Sequence, residues 1–207
     1  ERVFFSTSMA DCAEADLAIE AVFEDLSLKT SIFKELDGLV SRSTVMTTNT
    51  SAISITTLAA AVSSPERVVG IHFFNPVPML KAVEVIRGLE TSQQTMDAAS
   101  AFVESLGKKP IRVHKDVPGF LLNRINLPSN LEAMRLVEQG IATTFDIDEG
   151  VKLAFGRPIG IFEVSDLVGL DVTLKACDAI YNETKDAKYL APVILRRMVK
   201  AGRLGKK

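Results

Sequence analysis

Soft metal ligands are scarce in this chain. Its 207 residues include two histidines, His72 and His114, and two cysteines, Cys12 and Cys177. They stand far apart, with no acidic cluster at ligand spacing, so no zinc or other metal site is expected. Two lone cysteines read as reduced, buried thiols of a cytoplasmic protein rather than as a disulfide framework. Excess charge of one sign is also missing. Lys and Arg number 24 against 26 Asp and Glu, a formal net charge of −2, which leaves no electrostatic footprint for nucleic acid. The longest uncharged stretch, residues 44–65, is rich in Ser and Thr and is not a membrane span. There is no internal repeat and no low-complexity stretch. The opening, Glu1 to Phe5, shows neither a methionine nor a full hydrophobic signal region.

What the chain does have is alternation. Residues 15–22 read as a strand, residues 24–41 as a helix, and residues 44–48 as a strand. A short helix over 55–62 follows, which Ser54 can cap. Apolar strands then fall at 68–72 and 82–86, a helix capped by Ser92 runs to Leu106, and a last strand covers 109–113. Strands interleaved with helices in this way imply a largely parallel sheet. Past Asp116 only helical spacing remains. Helices are expected over 120–139, with a bend at Pro128, and from Thr144 or Asp146 to 155. Others cover 161–168, 170–184 and a segment from Pro192 to Ala201. The fold class is therefore α/β: a partial Rossmann-type domain over residues 1–115, then an all-α domain over 116–207.

Residues 48–84 are the centre of this pattern. His72 ends the apolar run Val68-Val69-Gly70-Ile71, where open α/β sheets place a ligand crevice. Glu84 sits twelve positions later inside a second apolar strand. A carboxylate there is costly unless paired, and an imidazole is its natural partner. A carboxylate beside an imidazole orients it and stabilises the imidazolium, which suits proton transfer near neutral pH. Two readings stand at this point: a proton-transfer dyad, or a hydrogen-bonded core histidine beside an edge-strand charge. A Ser-His-Glu hydrolase built from Ser51, His72 and Glu84 lacks a G-x-S-x-G elbow.

The segments TNTS at 48–51, PERVVG at 65–70, HFFNPVP at 72–78 and VEV at 83–85 come in an order that resembles the L-3-hydroxyacyl-CoA dehydrogenase family. VPGFLLNR at 117–124 and FGRPIGIFEVSDLVGLD at 155–171 continue the match, so the resemblance runs from about residue 15 to residue 207. It implies NAD as cofactor, an acyl-CoA substrate, and oxidation of a 3-hydroxyacyl-CoA or the reverse reduction. Under it His72 is the general base, Glu84 its orienting partner, and Ser51 and Asn123 the substrate-binding and catalytic polar groups. Ala21, Glu24, Lys29, Ser51, Asn75 and Lys207 match cofactor-contacting positions. It also implies a homodimer through the helical domain.

Several of these residues have plainer readings. Glu24 suits the dipole of a helix start, Ser51 a turn, Asn75 a pre-proline turn, and Lys207 a solvated end. The fingerprint G-x-G-x-x-G occurs nowhere in the chain. In the family that loop belongs to the first β-turn-α, so the resemblance implies that this chain begins after it. A non-catalytic structural protein on the same fold and a related sugar-acid dehydrogenase are the competing readings.

Overall fold

The computed structural model describes residues 3–206. The chain divides into two compact units, residues 1–120 and 121–207.

In the first unit, β1 (Leu17–Glu20), α1 (Leu26–Leu39), β2 (Val45–Thr48), α2 (Ile55–Ala59) and β3 (Val68–Phe73) follow one another. Next come β4 (Ala82–Ile86), α3 (Gln93–Ser105) and β5 (Lys109–Val113). The five strands lie side by side in chain order. β1, β2 and β3 are parallel, β3 and β4 antiparallel, and β4 and β5 parallel. The reversal has a simple cause. The link from β3 to β4 spans residues 74–81, shorter than the roughly twelve residues that a parallel crossover needs.

Alternation along the strands divides the core between two faces. Met46, Val68 and Ile86 pack with Phe33 and Leu36 of α1 and with Ile55 and Leu58 of α2. Val69, Ile71, Val83 and Val85 pack with Met96, Ala99 and Val103 of α3. Such two-sided burial is what near-continuous apolar strands predict. The faces are not equally apolar. Glu20, Thr48, His72 and Glu84 share the side of Val68 and Ile86 by strand parity, and all four are buried.

Two expectations shift here. The first strand is shorter and less buried than expected, because it forms one edge of the described sheet. The junction between units falls after Phe120 rather than after residue 115. Asp116 accepts hydrogen bonds from the Ser54 hydroxyl (2.7 Å) and from the amide of Thr56 (2.8 Å). Phe120 is buried in the same core as Ile55. Residues 116–120 thus stay with the sheet.

The second unit consists of α4 (Leu122–Glu138), α5 (Thr144–Phe155), α6 (Ile161–Val168), α7 (Leu170–Thr184) and α8 (Val193–Lys200). Pro128 lies inside α4 without ending it, and Thr143 caps α5 by accepting from the Asp146 amide. Leu127, Leu131 and Met134 of α4, Cys177 and Ile180 of α7, Tyr189 and Leu195 form the core. Among the described residues, no helix is long and apolar enough to cross a membrane.

Candidate active site

His72 and Glu84 are opposite each other in the β3–β4 register. Their side chains meet, with Nδ1 2.8 Å from Glu84 Oε2. The imidazole is 4% exposed and Glu84 is fully buried. Burial makes the pairing obligatory, since an uncompensated carboxylate in this core would cost several kcal/mol. When Glu84 is a carboxylate it can only accept, so Nδ1 carries the proton and Nε2 presents a lone pair. That lone pair faces Ser51, whose hydroxyl oxygen lies 3.1 Å away. Phe74 meets the ring edge-on at a centroid distance of 4.6 Å, and Phe120 lies at 5.7 Å. Ser51, His72 and Glu84 thus form a continuous hydrogen-bonded chain beside two aromatic rings.

The loop carrying Ser51 leaves β2 where its ladder ends. Asn49 ties it to β3: its side-chain oxygen accepts from the amide of Phe73 at 2.9 Å. Glu24 ties it to β1. One carboxylate oxygen of Glu24 accepts from the amides of Ser51 (2.9 Å) and Ala52 (3.0 Å) and from the hydroxyl of Thr50 (2.5 Å). The expectation that Glu24 opens a helix is not met, because Asp25 is the cap of α1, accepting from the Leu28 amide at 2.8 Å. Glu24 lies just outside and is free to serve the loop.

Lys29 is buried on the first turns of α1. It is 1% exposed, and its ammonium donates to Glu20 at 2.7 Å and to the Val22 carbonyl at 3.2 Å. The second oxygen of Glu24 is 3.4 Å from the same ammonium. Glu20 also accepts from the Thr48 hydroxyl (2.7 Å) and the Val22 amide (2.6 Å). A buried ion pair, hydrogen-bonded on both sides, thus stands behind Glu24.

The first unit therefore brings together Ser51, His72, Glu84 and Glu24, with Lys29 buried behind Glu24. Ala21 is exposed just past β1, and Asn75 is exposed just past β3, before a cis peptide bond to Pro76. Asn123 belongs to the second unit, on the first turn of α4, half-buried. Lys207 lies outside the described residues. His114 is exposed. Among the described residues no group of three His, Cys, Asp or Glu side chains could hold a metal ion.

Sequence reasoning missed three contributors: Glu20, Thr50 and the side chain of Asn49. Asn49 and Thr50 lie within the quoted TNTS segment, so their position was visible and their bonding was not. Glu20 offered one signal, a carboxylate within the apolar run from Leu17 to Val22.

Comparison with known proteins adds a second line of observation. The chain matches the family models described as 3-hydroxyacyl-CoA dehydrogenase, NAD binding domain, over residues 1–117, and 3-hydroxyacyl-CoA dehydrogenase, C-terminal domain, over residues 119–207. It is 43% identical over 202 residues to a 3-hydroxybutyryl-CoA dehydrogenase of Clostridioides difficile, covering 98% of this chain and 72% of that protein. Among solved structures, FadB2 of M. tuberculosis is similar with a TM-score of 0.94 at 43% identity, covering 98% of this chain and 71% of that one. The (S)-3-hydroxybutyryl-CoA dehydrogenase of Ralstonia eutropha gives a TM-score of 0.93 at 45% identity, covering 97% and 71%.

Proposed function

We propose, from the premise that this chain belongs to the 3-hydroxyacyl-CoA dehydrogenase family, that it interconverts a 3-hydroxyacyl-CoA and the 3-oxoacyl-CoA with NAD. His72 is the proton carrier of that reaction and Glu84 its orienting partner. The observation that carries this reading is the relay from Ser51 through both ring nitrogens to Glu84, at 3.1 and 2.8 Å.

In the oxidative direction, the proton of the substrate C3 hydroxyl passes to Nε2 of His72. Glu84 stabilises the imidazolium that results and keeps the ring in place. In the reductive direction the same proton returns to the forming alkoxide. NAD, when bound, supplies the hydride acceptor. Ser51 offers a hydroxyl beside Nε2 that can share the substrate oxygen. Asn123 is proposed, on the resemblance alone, as the donor to the thioester carbonyl, where a hydrogen bond to developing charge counts most in a dry site.

The exposed groups at the ends of β1, β2 and β3 fit the nicotinamide riboside end of the cofactor. Ala21, the carboxylate of Glu24, the Ser51 hydroxyl and the Asn75 amide are exposed there, next to exposed apolar Val22 and Phe23. This set can hydrogen-bond ribose hydroxyls and a carboxamide and can lie against a ring. Lys29 serves the cofactor through Glu24, and Lys207 is proposed as a contact on the resemblance alone. We further propose a cytoplasmic homodimer. Exposed Phe145, Leu153 and Phe155 on α5 support the helical unit as its interface, and the free thiols Cys12 and Cys177 support the compartment.

The test is acetoacetyl-CoA-dependent oxidation of NADH by the full-length protein. His72→Ala should lower kcat by about 10²–10⁴-fold and leave NADH binding nearly intact. Turnover retained by that variant would overturn the role of His72.

A further inference from the structure

We propose that Thr50 is a positioning residue for the reaction: it locks the Ser51 loop onto Glu24 and so sets the Ser51 hydroxyl against His72. This rests on Ser51 being part of the site.

Thr50 is fully buried, and its hydroxyl is the hub of the loop. It donates to Glu24 Oε1 and accepts from the amides of Ala52 (3.2 Å) and Ile53 (2.8 Å). Glu24 Oε1 takes the amides of Ser51 (2.9 Å) and Ala52 (3.0 Å) at the same time. Three successive amides past the end of β2 are thus satisfied by two side-chain oxygens that are bonded to each other. The strand ladder no longer supplies acceptors here, and the part-buried Ile53 amide in particular depends on the Thr50 hydroxyl. The clamp is braced in turn, since the other Glu24 oxygen faces Lys29 at 3.4 Å and Lys29 is fixed by Glu20 at 2.7 Å.

Without the Thr50 hydroxyl, Ile53 N–H loses its acceptor and Glu24 loses its only hydroxyl donor among these contacts. Beyond the Asn49 tie to β3, the amides of Ser51 and Ala52 are then held only by one half-exposed carboxylate. Ser51 Oγ meets Nε2 at 3.1 Å, so a small loop shift breaks that contact while the His72–Glu84 pair, built into the sheet, stays intact. A valine has nearly the shape of threonine and keeps the packing, so the loss is one of hydrogen bonding.

The experiment is a double-mutant cycle in the full-length protein, with kcat measured at saturating NADH and acetoacetyl-CoA, and NADH affinity measured separately by fluorescence. Thr50→Val should lower kcat by roughly 10- to 100-fold, the scale of a misplaced catalytic contact, with NADH affinity kept. Thr50→Ser should recover most of the loss. The double variant T50V/S51A should be no slower than Ser51→Ala beyond about twofold, because both changes remove one interaction. Multiplying losses in the double variant would overturn the proposal, as would wild-type kcat in Thr50→Val beside an impaired Ser51→Ala. Wild-type kcat in Ser51→Ala would instead overturn the reading of Ser51 itself, and this proposal with it. If thermal melts show Thr50→Val unfolded, Glu24→Ala takes its place in the cycle. Its side chain is 42% exposed, and the same non-additivity with Ser51→Ala is expected, with multiplying losses again the overturning result.

Discussion

His72 and Glu84 are separated by twelve positions in the chain and by none across the sheet: they are direct register partners on antiparallel strands. Opposed residues of such a pair project to the same face with Cβ atoms about 5 Å apart. The hydrogen bond between them is therefore set by backbone pairing rather than by a loop. A one-residue slip of β4 would send Glu84 to the α3 side and bring Val83 or Val85 against the imidazole, so the strand register alone specifies this contact.

Glu84→Gln tests the partnership. The amide keeps the shape but lacks the charge that steadies an imidazolium, and it can present a donor to Nδ1 in place of an acceptor. Turnover with acetoacetyl-CoA should fall by about 10²–10⁴-fold, while circular dichroism and NADH affinity stay near those of the parent. A loss below about threefold, far short of the usual contribution of a positioned acid–base group, would mean that the carboxylate serves packing alone.

The contact between His72 and Glu84 was legible because it breaks a rule. A histidine and a glutamate interrupt two apolar strands, and burial forces such residues to find partners. The strand reversal between them also follows from the length of the link, once that length is set against a crossover. Lys29 and Glu20 were harder. A lysine on the first turns of a helix is commonly a solvated charge, and a lone carboxylate in an apolar strand does not name its partner. Only the packing of α1 against the sheet turns them into a buried pair. Thr50 was harder still, since its role depends on three amides and one carboxylate whose directions no spacing rule carries.

Asp37 gives a prediction for acid stability. On α1 it accepts from the Ser63 amide (2.8 Å), the Ser63 hydroxyl (3.1 Å) and Arg67 (2.5 Å). Burial works to raise its carboxyl, but the Ser63 amide, Arg67 and the Ser63 hydroxyl together outweigh it and hold the group below the usual range. A depressed folded-state value stabilises the fold above the unfolded value of about 3.9, and that stability is lost as pH falls through the folded value. Asp37→Asn should cost on the order of 2 kcal/mol at pH 7 and flatten the acid limb of the stability curve. Urea midpoints at pH 7 and pH 3 check this, and a loss equal at both would argue against the ionic account.

Cys177 should be chemically silent. It is fully buried in the helical unit, and burial, helped by the charge of Asp178, pushes its thiol up to about 12. Cys12 is only partly covered. A disulfide reagent at pH 8 should modify one thiol in the native protein and both in guanidinium chloride. Because the Cys177 value is raised, its contribution to stability is intact below the unfolded value of about 8.5 and is lost as pH rises beyond it. Rapid native modification of two thiols would contradict that burial.

Gly70 shows how closely α2 rides on the strand that carries His72. A Cβ there would stand 2.7 Å from Ile55 Cδ1, 3.1 Å from Ile55 Cγ1 and 3.0 Å from Ile86 Cδ1. Alanine in a strand would ordinarily stabilise by about 0.4–1 kcal/mol, by restricting the unfolded chain. Overpacking costs about 1–3 kcal/mol, so the clash should win and Gly70→Ala should destabilise. The decisive measurement is the pair Gly70→Ala with Ile55→Val. Valine lacks the Cδ1 atom that the new methyl would meet, so volume is restored across the contact. The double variant should unfold at a higher urea concentration than Gly70→Ala alone. Activity should recover with it, because Ile55 follows the Ser54 cap at the end of the loop that carries Ser51. A double variant less stable than Gly70→Ala would show that something other than this contact keeps a glycine in β3.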